Sequence, residues 1–241
     1  MELFDSSEAR KNVENVLDRD TMEALYALSD DGRFDVLRGF VKDGKESKVA
    51  VAERDGELLA VKLYVVEASN YEDMAQYLRG DPRFEDLAGD RRSVIEAWAR
   101  KEFRNLEAAR DAGIPVPEPV AVEKNVLLMA FIGQDYRPAP RLQEVDLENP
   151  GTALDRIVEY MRTLWRDAEM VHGDLSAFNI LLWDEQLHLI DFSQAVPRRH
   201  PRAGELLRRD VTNICDHFRR AYDMAVEDDE IRDRITGGEE L

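Results

Sequence analysis

The stretch VHGDLSAFNILLWDEQLHLIDFSQ, Val171 to Gln194, sets two aspartates and an asparagine at fixed intervals among apolar runs. Apolar runs normally exclude such groups, because a buried polar side chain without a partner costs free energy. Asp174 and Asn179 are five positions apart, and Asp191 follows Asn179 by twelve, directly after the short strand candidate LHLI. Asn179 and Asp191 make a pair of oxygen donors suited to Mg²⁺. That hard cation takes one or two protein side chains and completes its shell with water and nucleotide phosphates. Asp174 is then left to accept a hydrogen bond or proton from an attacking hydroxyl. Asp and Asn also serve ordinary turns by bonding local backbone. The catalytic reading therefore rests on all three spacings together with partners found upstream.

The first partner is Lys62 in LLAVKLY. Side chains alternate along a strand, so Ala60 and Lys62 share a face, which lets Ala60 cover an adenine while Lys62 reaches phosphates. The second is Glu102. It falls on the apolar stripe of a helix expected over 93–112, formed by Ile95, Trp98, Ala99, Phe103, Leu106 and Ala109 and closed by Gly113. A carboxylate on such a stripe needs a cation, and the strand lysine is the natural one. A weaker signal is the loop VKDGKESKVAV. There Gly44 allows backbone N–H groups to approach phosphates, and Lys45 and Lys48 add charge. It holds one glycine, so neither a GxGxxG nor a Walker loop is present.

Around these residues the chain reads as strands first and mostly helices afterwards, an α+β protein of two unequal lobes. TMEALYAL has helical spacing, with Asp20 or Thr21 as its cap. KVAVAERDGELLAVKLYVV is two alternating runs around Asp55 and Gly56, a hairpin signal. NVLLMAFIG (125–133) is a buried strand, residues 154–170 a helix, and residues 205–225 a last amphipathic helix. The end from Val226, VEDDEIRDRITGGEEL, is too acidic and Gly-rich to demand structure.

Composition narrows the partners. Lys and Arg number 33 against 51 Asp and Glu, for a net charge of −18. Only seven of the basic residues are lysine. Such a surface repels nucleic acid at low salt and suits a cell interior with molar salt, where self-repulsion is screened. No apolar run approaches the roughly 18 residues of a membrane span, and MELFDSSEARKN is no basic-then-apolar leader, so a cytoplasmic protein without a membrane partner is expected. Cys215 is the single cysteine. Its apolar helical surroundings predict a buried structural thiol.

Taken together, DGKESKV, AVKLY, YLRGDPRF, WARKEFRNLEAARDAGIPVPEP, NVLLMAFIG, PAPRLQEV, HGDLSAFNILL, LIDFSQAV and LRRD resemble a RIO-type atypical serine/threonine protein kinase, type-1 branch, in an archaeal, halophilic form. The resemblance runs from about Asp18 to Ala225. It implies a bilobal kinase-like fold over residues 1–226, with an N-lobe to about 132, a C-lobe from about 133 and an acidic tail at 227–241. It also implies Mg-ATP as cofactor, with Mn²⁺ as the alternative metal. By that likeness Lys62 contacts the phosphates and pairs with Glu102, Asp174 is the base, and Asn179 and Asp191 hold the metal. Asp191 is also a phosphate acceptor during turnover. The adenine edge meets backbone of Ala130 and Ile132 beside Met129, and Gly44, Ser47 and Lys48 complete the nucleotide contacts. The partner implied is the maturing small ribosomal subunit, with its rRNA and ribosomal proteins.

Two departures stand out. Lys42 and Asp43 occupy positions where the family usually carries hydroxyls, and DFSQ replaces the DFG of ordinary kinases. Only about fifteen residues separate Asp191 from the LLRRD helix, too few for a full activation segment. ATP hydrolysis driving an assembly step is therefore as well supported as phosphorylation of many proteins. Two other readings share parts of the pattern. One is a small-molecule phosphotransferase of the aminoglycoside or choline kinase sort, which also uses HGDxxxxN but follows its metal aspartate differently. The other is an assembly factor that uses ATP as a switch without useful turnover. Arg198, Arg199, His200, Arg202, Arg208 and Arg209 concentrate positive charge, and internal pairing with carboxylates competes there with a phosphate partner. Ser93 is read as a helix-cap residue before an autophosphorylation site.

Overall fold

The computed structural model describes residues 17–44, 47–65, 74, 77–84 and 90–239. Lys45 of the phosphate-loop reading lies outside them, as does the start of the first expected helical stretch. The chain divides into two compact units. One comprises Met1–Arg79, Phe84–Arg104 and Pro117–Pro138; the other comprises Gly80–Arg83, Asn105–Val116 and Ala139–Leu241.

The first unit begins with α1 (Arg19–Asp30). Its N-cap is Asp18, whose carboxylate accepts from Thr21 N at 2.8 Å, so the cap precedes both expected positions, Asp20 and Thr21. β1 (Val36–Asp43), β2 (Ser47–Arg54) and β3 (Glu57–Tyr64) follow as an antiparallel meander. The turn between β2 and β3 holds Asp55 at φ 52° and Gly56 at φ 85°. Those left-handed dihedrals match the twist of the flanking strands, which is why Asp-Gly marks hairpins. After α2 (Arg91–Asp111) come β4 (Pro119–Glu123) and β5 (Val126–Ala130). The sheet order is β1-β2-β3-β5-β4. β3 is central and buried from Leu59 to Tyr64. Leu25, Leu28, Phe34, Leu37, Val61, Leu63 and Leu128 form the core between α1 and the sheet. A short pair, β6 (Gly133–Gln134) and β7 (Arg137–Pro138), closes the unit.

The second unit is mostly helical. α3 spans Pro150–Arg166. It starts four residues ahead of the expected point because Asn149 caps it, accepting from Thr152 N, and Pro150 suits the first helical position. β8 (Met170–Val171), the hairpin β9 (Ile180–Trp183) with β10 (Gln186–Leu189), and β11 (Val196–Pro197), which pairs with β8, frame the loops of interest. α4 (Ala203–Tyr222) begins twelve positions after Asp191, so the intervening segment is shorter than expected.

The acidic end departs from expectation, because Asp228–Thr236 forms a further helix, α5. Ile231 and Ile235, four apart, are buried, and Asp228, Asp229 and Glu230 all sit in the first turn. There the helix dipole favours negative charge, so the carboxylates that made the segment look unstructured support it. Asp228 accepts from Thr212 Oγ1 at 2.5 Å and from Arg219 at 2.7 Å, docking α5 on α4. Among the described residues no helix is long and apolar enough to cross a membrane. Cys215 is buried, and burial pushes its thiol up to about 12, which leaves it an unreactive core group.

Candidate active site

In the first unit Lys62 and Glu102 meet. Lys62 Nζ lies 2.9 Å and 2.8 Å from the two Glu102 oxygens, and the two residues are 5% and 1% exposed. Tyr64, two positions along β3 and on the same face, donates its hydroxyl to Glu102, and Lys62 Nζ is 5.1 Å from its ring centroid. The central strand and the helix each bring one charge out of water, and the pair is tolerable only because each satisfies the other.

β5 runs into Phe131 and Ile132. Ala130 N donates to Glu118 O at 2.8 Å, so any ligand contact from Ala130 falls to its carbonyl. Ile132 N has no acceptor among the described residues. Met129 pairs in register with Ala60. At the β1–β2 turn Gly44 N donates to Ser47 O at 3.1 Å, and a Cβ on Gly44 would lie 2.8 Å from that oxygen. Glycine is therefore required for the turn to close, whatever it binds. Ser47 and Lys48 open β2, opposite Tyr64 and Leu63.

In the second unit the sequence HGDLSAFN is a loop gripped from several sides. Asn179 Nδ2 donates to Asp174 O at 2.8 Å and to Asp174 Oδ2 at 3.2 Å. That orientation turns the amide oxygen Oδ1 away, without a hydrogen-bond donor among the described residues. His172 is 2% exposed, lies within 3.1 Å of Ile190 O through Nε2, and accepts from Asp174 N through Nδ1 at 3.3 Å. The two contacts define its tautomer, with the proton on Nε2, and tie the Asp174 loop to the strand end before Asp191. Its ring also packs on Phe192, centroids 4.6 Å apart.

Asp191 has φ 64° and ψ 65°. A non-glycine residue in the left-handed region stores strain of the kind found at functional turns. Ser193 Oγ donates to Asp191 Oδ1 at 2.7 Å, a contact that the DFSQ sequence provides and a DFG sequence would lack. Asn105 on α2 is buried and donates to Phe192 O and Ala195 O, each at 3.0 Å, so it holds the turn that follows Asp191.

α4 supplies the remaining support. Asp210, 1% exposed, accepts from Gly173 N at 2.7 Å and Leu175 N at 2.9 Å. Asn213 donates to Leu175 O at 3.1 Å, and Arg209 donates to Gly173 O and Gln194 Oε1. The backbone on either side of Asp174 is thus clamped by three side chains from one helix. Gly173 has φ 76°, and a Cβ there would lie 2.8 Å from Gln194 O. Gly173→Ala is expected to destabilise the protein by about 1–3 kcal/mol, read as a lower urea midpoint, with Asp174 displaced and turnover reduced.

Burial raises the Asp210 carboxyl to about 7, against the opposing pull of its two backbone donors. The folded state therefore binds a proton between about pH 4 and 7 that the unfolded chain releases. This contribution to stability grows as pH falls through about 7, is fully present below about 4, and is lost as pH rises through about 7. Relative to Asp210→Asn, the wild type is expected to gain stability from pH 7.5 to 5. Parallel pH curves from urea titrations would contradict this.

Sequence reasoning named Asp174, Asn179 and Asp191, which the fold gathers in one unit, and Lys62 with Glu102, which it pairs in the other. It missed His172, Asn105, Asp210, Asn213 and Arg209 as supports. The signal that singled out Glu102 was also present for Asp210, which lies on the apolar stripe of Leu206, Leu207, Val211 and Ile214. The arginine cluster is largely spent internally: Arg198 pairs with Glu239, Arg202 with Glu205, and Arg209 holds the loop. Asp90 caps α2 by accepting from Ser93 N and Oγ, so Ser93 is the cap's donor and not the cap.

A twisted antiparallel sheet bearing a helix-paired lysine, followed by a helical unit with the two aspartate loops, defines a protein-kinase-like phosphotransferase. Residues 48–231 match the family model described as the RIO domain. The chain belongs to that family, the RIO-type serine/threonine-protein kinases. It is 45% identical over 231 residues to the RIO-type serine/threonine-protein kinase Rio1 of Haloferax volcanii, covering 95% of this chain and 79% of that one. Identity to Rio1 of Methanocaldococcus jannaschii is 40% over 210 residues, 87% of this chain and 72% of that one. Human RIO1 is 39% identical over 216 residues, 88% of this chain, which spans only 38% of the human protein. The fold resembles the Rio2 kinase of Chaetomium thermophilum in its ADP/Mg²⁺-phosphoaspartate complex, with TM-score 0.67 and 20% identity over 90% of this chain and 66% of that one.

Proposed function

We propose that the protein transfers the γ-phosphoryl group of Mg-ATP to serine or threonine hydroxyls, and to water when no acceptor is present. The observation that carries the reading is the clamped loop that presents Asp174 and Asn179 beside the strained Asp191. Lys62, held by Glu102 and Tyr64, engages the phosphates. Asn179 Oδ1 and the Asp191 carboxylate are hard oxygen donors, and the orphaned amide oxygen of Asn179 fits a Mg²⁺ or Mn²⁺ ligand. The metal supplies neutralisation of the charge that develops on the phosphates. Asp174 accepts the proton of the attacking hydroxyl. Adenine would be met by the Ala130 carbonyl and the Ile132 N–H, with Met129 beside them in sequence, while the Gly44 turn, Ser47 and Lys48 would contact the phosphates.

Asp191 also serves as a phosphate carrier. A carboxylate oxygen attacks the γ-phosphorus, the bond to the β-phosphate oxygen breaks, and ADP leaves; water then releases the phosphate. The phosphoaspartate of the Chaetomium Rio2 complex supports this step. The cellular setting proposed is maturation of the small ribosomal subunit in the cytoplasm, by family resemblance.

The test is a pull-down from cells of a trapped Asp174→Ala form. Recovery of small-subunit precursors is expected. Recovery of none, with an aminoglycoside or amino alcohol phosphorylated by the wild type in vitro, would replace this reading with small-molecule transfer. The −18 charge further predicts a higher Tm in about 1 M KCl than in dilute buffer, because the screening length falls to about 3 Å. An unchanged or lower Tm would remove the halophilic reading.

A further inference from the structure

The second unit contains a cleft of about 530 Å³ that uses none of Asp174, Asn179 or Asp191. Arg83, Arg198 and Arg199 line it, with Asn105 and the exposed Glu169. Asp81 neutralises Arg83, so in a chain of net charge −18 the cleft sets the guanidiniums of Arg198 and Arg199 against Glu169 once Glu239 is displaced from Arg198. Two of the three arginines are held in place. Arg83 is forked onto Asp81, which is wholly buried, with N–O distances of 2.6 to 3.1 Å. The Arg198 guanidinium stacks over Trp165, 4.5 Å from the ring centroid. Arg199 is exposed and has no ion-pair partner among the described residues.

A second observation shows what the cleft attracts. Arg198 binds the carboxylate of Glu239, which arrives from beyond α5. Both side chains are partly solvent-exposed, 34% and 53%, so the pair is weak and replaceable. The planar guanidiniums of Arg198 and Arg199, neighbours in the lining of one cleft, suit the oxygens of a phosphate, and a phosphomonoester carries close to two negative charges near neutral pH. The volume suits one compact group. A polynucleotide would need an extended basic track, which the acidic surface does not provide.

We propose that this cleft is a second anion site, built for the phosphate of a phosphomonoester, with Glu239 standing in for the ligand when it is absent. Asn105 lines the cleft and also holds the turn after Asp191, so the cleft borders that turn without including Asp191 itself. The ligand is either a free phosphomonoester or a phosphorylated side chain of a polypeptide.

The full chain is titrated with O-phosphoserine, with a phosphoserine peptide of otherwise neutral residues, and with single-stranded RNA. The ionic strength is fixed, and each titration is run with and without Mg²⁺ and a non-hydrolysable ATP analogue. Calorimetry is paired with NMR of arginine Nε–H signals. Saturable binding of a phosphoserine probe that persists with the analogue present is expected. Arg199→Ala should weaken it about tenfold, and Glu239→Gln should tighten it about threefold. Stronger binding of the peptide assigns the site to polypeptides, and stronger binding of free phosphoserine assigns it to small molecules. Binding only of RNA, displacement by the ATP analogue, or indifference to Arg199→Ala in a variant of unchanged Tm would overturn the proposal. Because the nucleotide analogue is scored separately, failure here is distinct from failure of the kinase reading.

Discussion

Asp191→Ala is expected to abolish Mg²⁺-dependent ATP turnover, with a loss on the order of 10³-fold or more. In the proposed mechanism the substitution removes a metal oxygen and the phosphate-accepting carboxylate together. It also removes, at φ 64°, the short polar side chain whose local hydrogen bonds make the left-handed region tolerable. Asp191→Asn separates the effects. Asparagine tolerates the left-handed region and keeps an acceptor for Ser193 Oγ, so the fold is retained while the charge and the acyl-phosphate chemistry are lost. Asp174→Ala gives the contrasting result: nucleotide binding unchanged by calorimetry, and transfer reduced by about 10²- to 10⁴-fold, the usual worth of a positioned base. Trapping labelled phosphate on the protein distinguishes the two, because label on Asp191 requires its carboxylate but not Asp174. Normal turnover in both alanine variants would sink the mechanism.

The second large effect falls on stability. Lys62→Met leaves Glu102, 1% exposed, without its cation, and removing one partner of a buried pair costs about 3–5 kcal/mol. The urea midpoint should drop accordingly, and turnover should be lost with it. Adding Glu102→Gln removes the stranded charge while keeping an acceptor for the Tyr64 hydroxyl, so most of the stability should return. Turnover should not return, because the strand lysine that positions the phosphates in the proposed mechanism is still missing. A double variant as unstable as Lys62→Met would show that packing of the lysine stem, and not the charge pair, dominates at this position.

Much of this was legible in the linear chain because it depends on short-range periodicity. The β2–β3 hairpin follows from two alternating runs and Asp55-Gly56, whose left-handed dihedrals few other pairs adopt. Lys62 and Glu102 were paired by a solvation argument: each lies on an element that is otherwise apolar, and neither is tolerable alone. The α5 helix was not legible, since composition averages over residues whose position relative to the helix dipole decides their sign. The α1 cap was displaced to Asp18 for a local reason, as several Asp and Thr side chains compete there and only geometry chooses among them.

The proposed catalytic residues were legible in sequence: the five- and twelve-residue spacings of Asp174, Asn179 and Asp191 depend on one loop and one hairpin. What holds those residues in place was decided by tertiary structure alone. His172 reaches Ile190, Asn105 reaches Phe192 and Ala195, and Asp210 reaches Gly173 and Leu175, across 18 to 90 positions of chain. Each of these satisfies buried backbone N–H or C=O groups at loops that make no regular ladder. Every residue carries the same donor and acceptor, so no pattern of side chains announces which of them will lack a partner until the chain has folded.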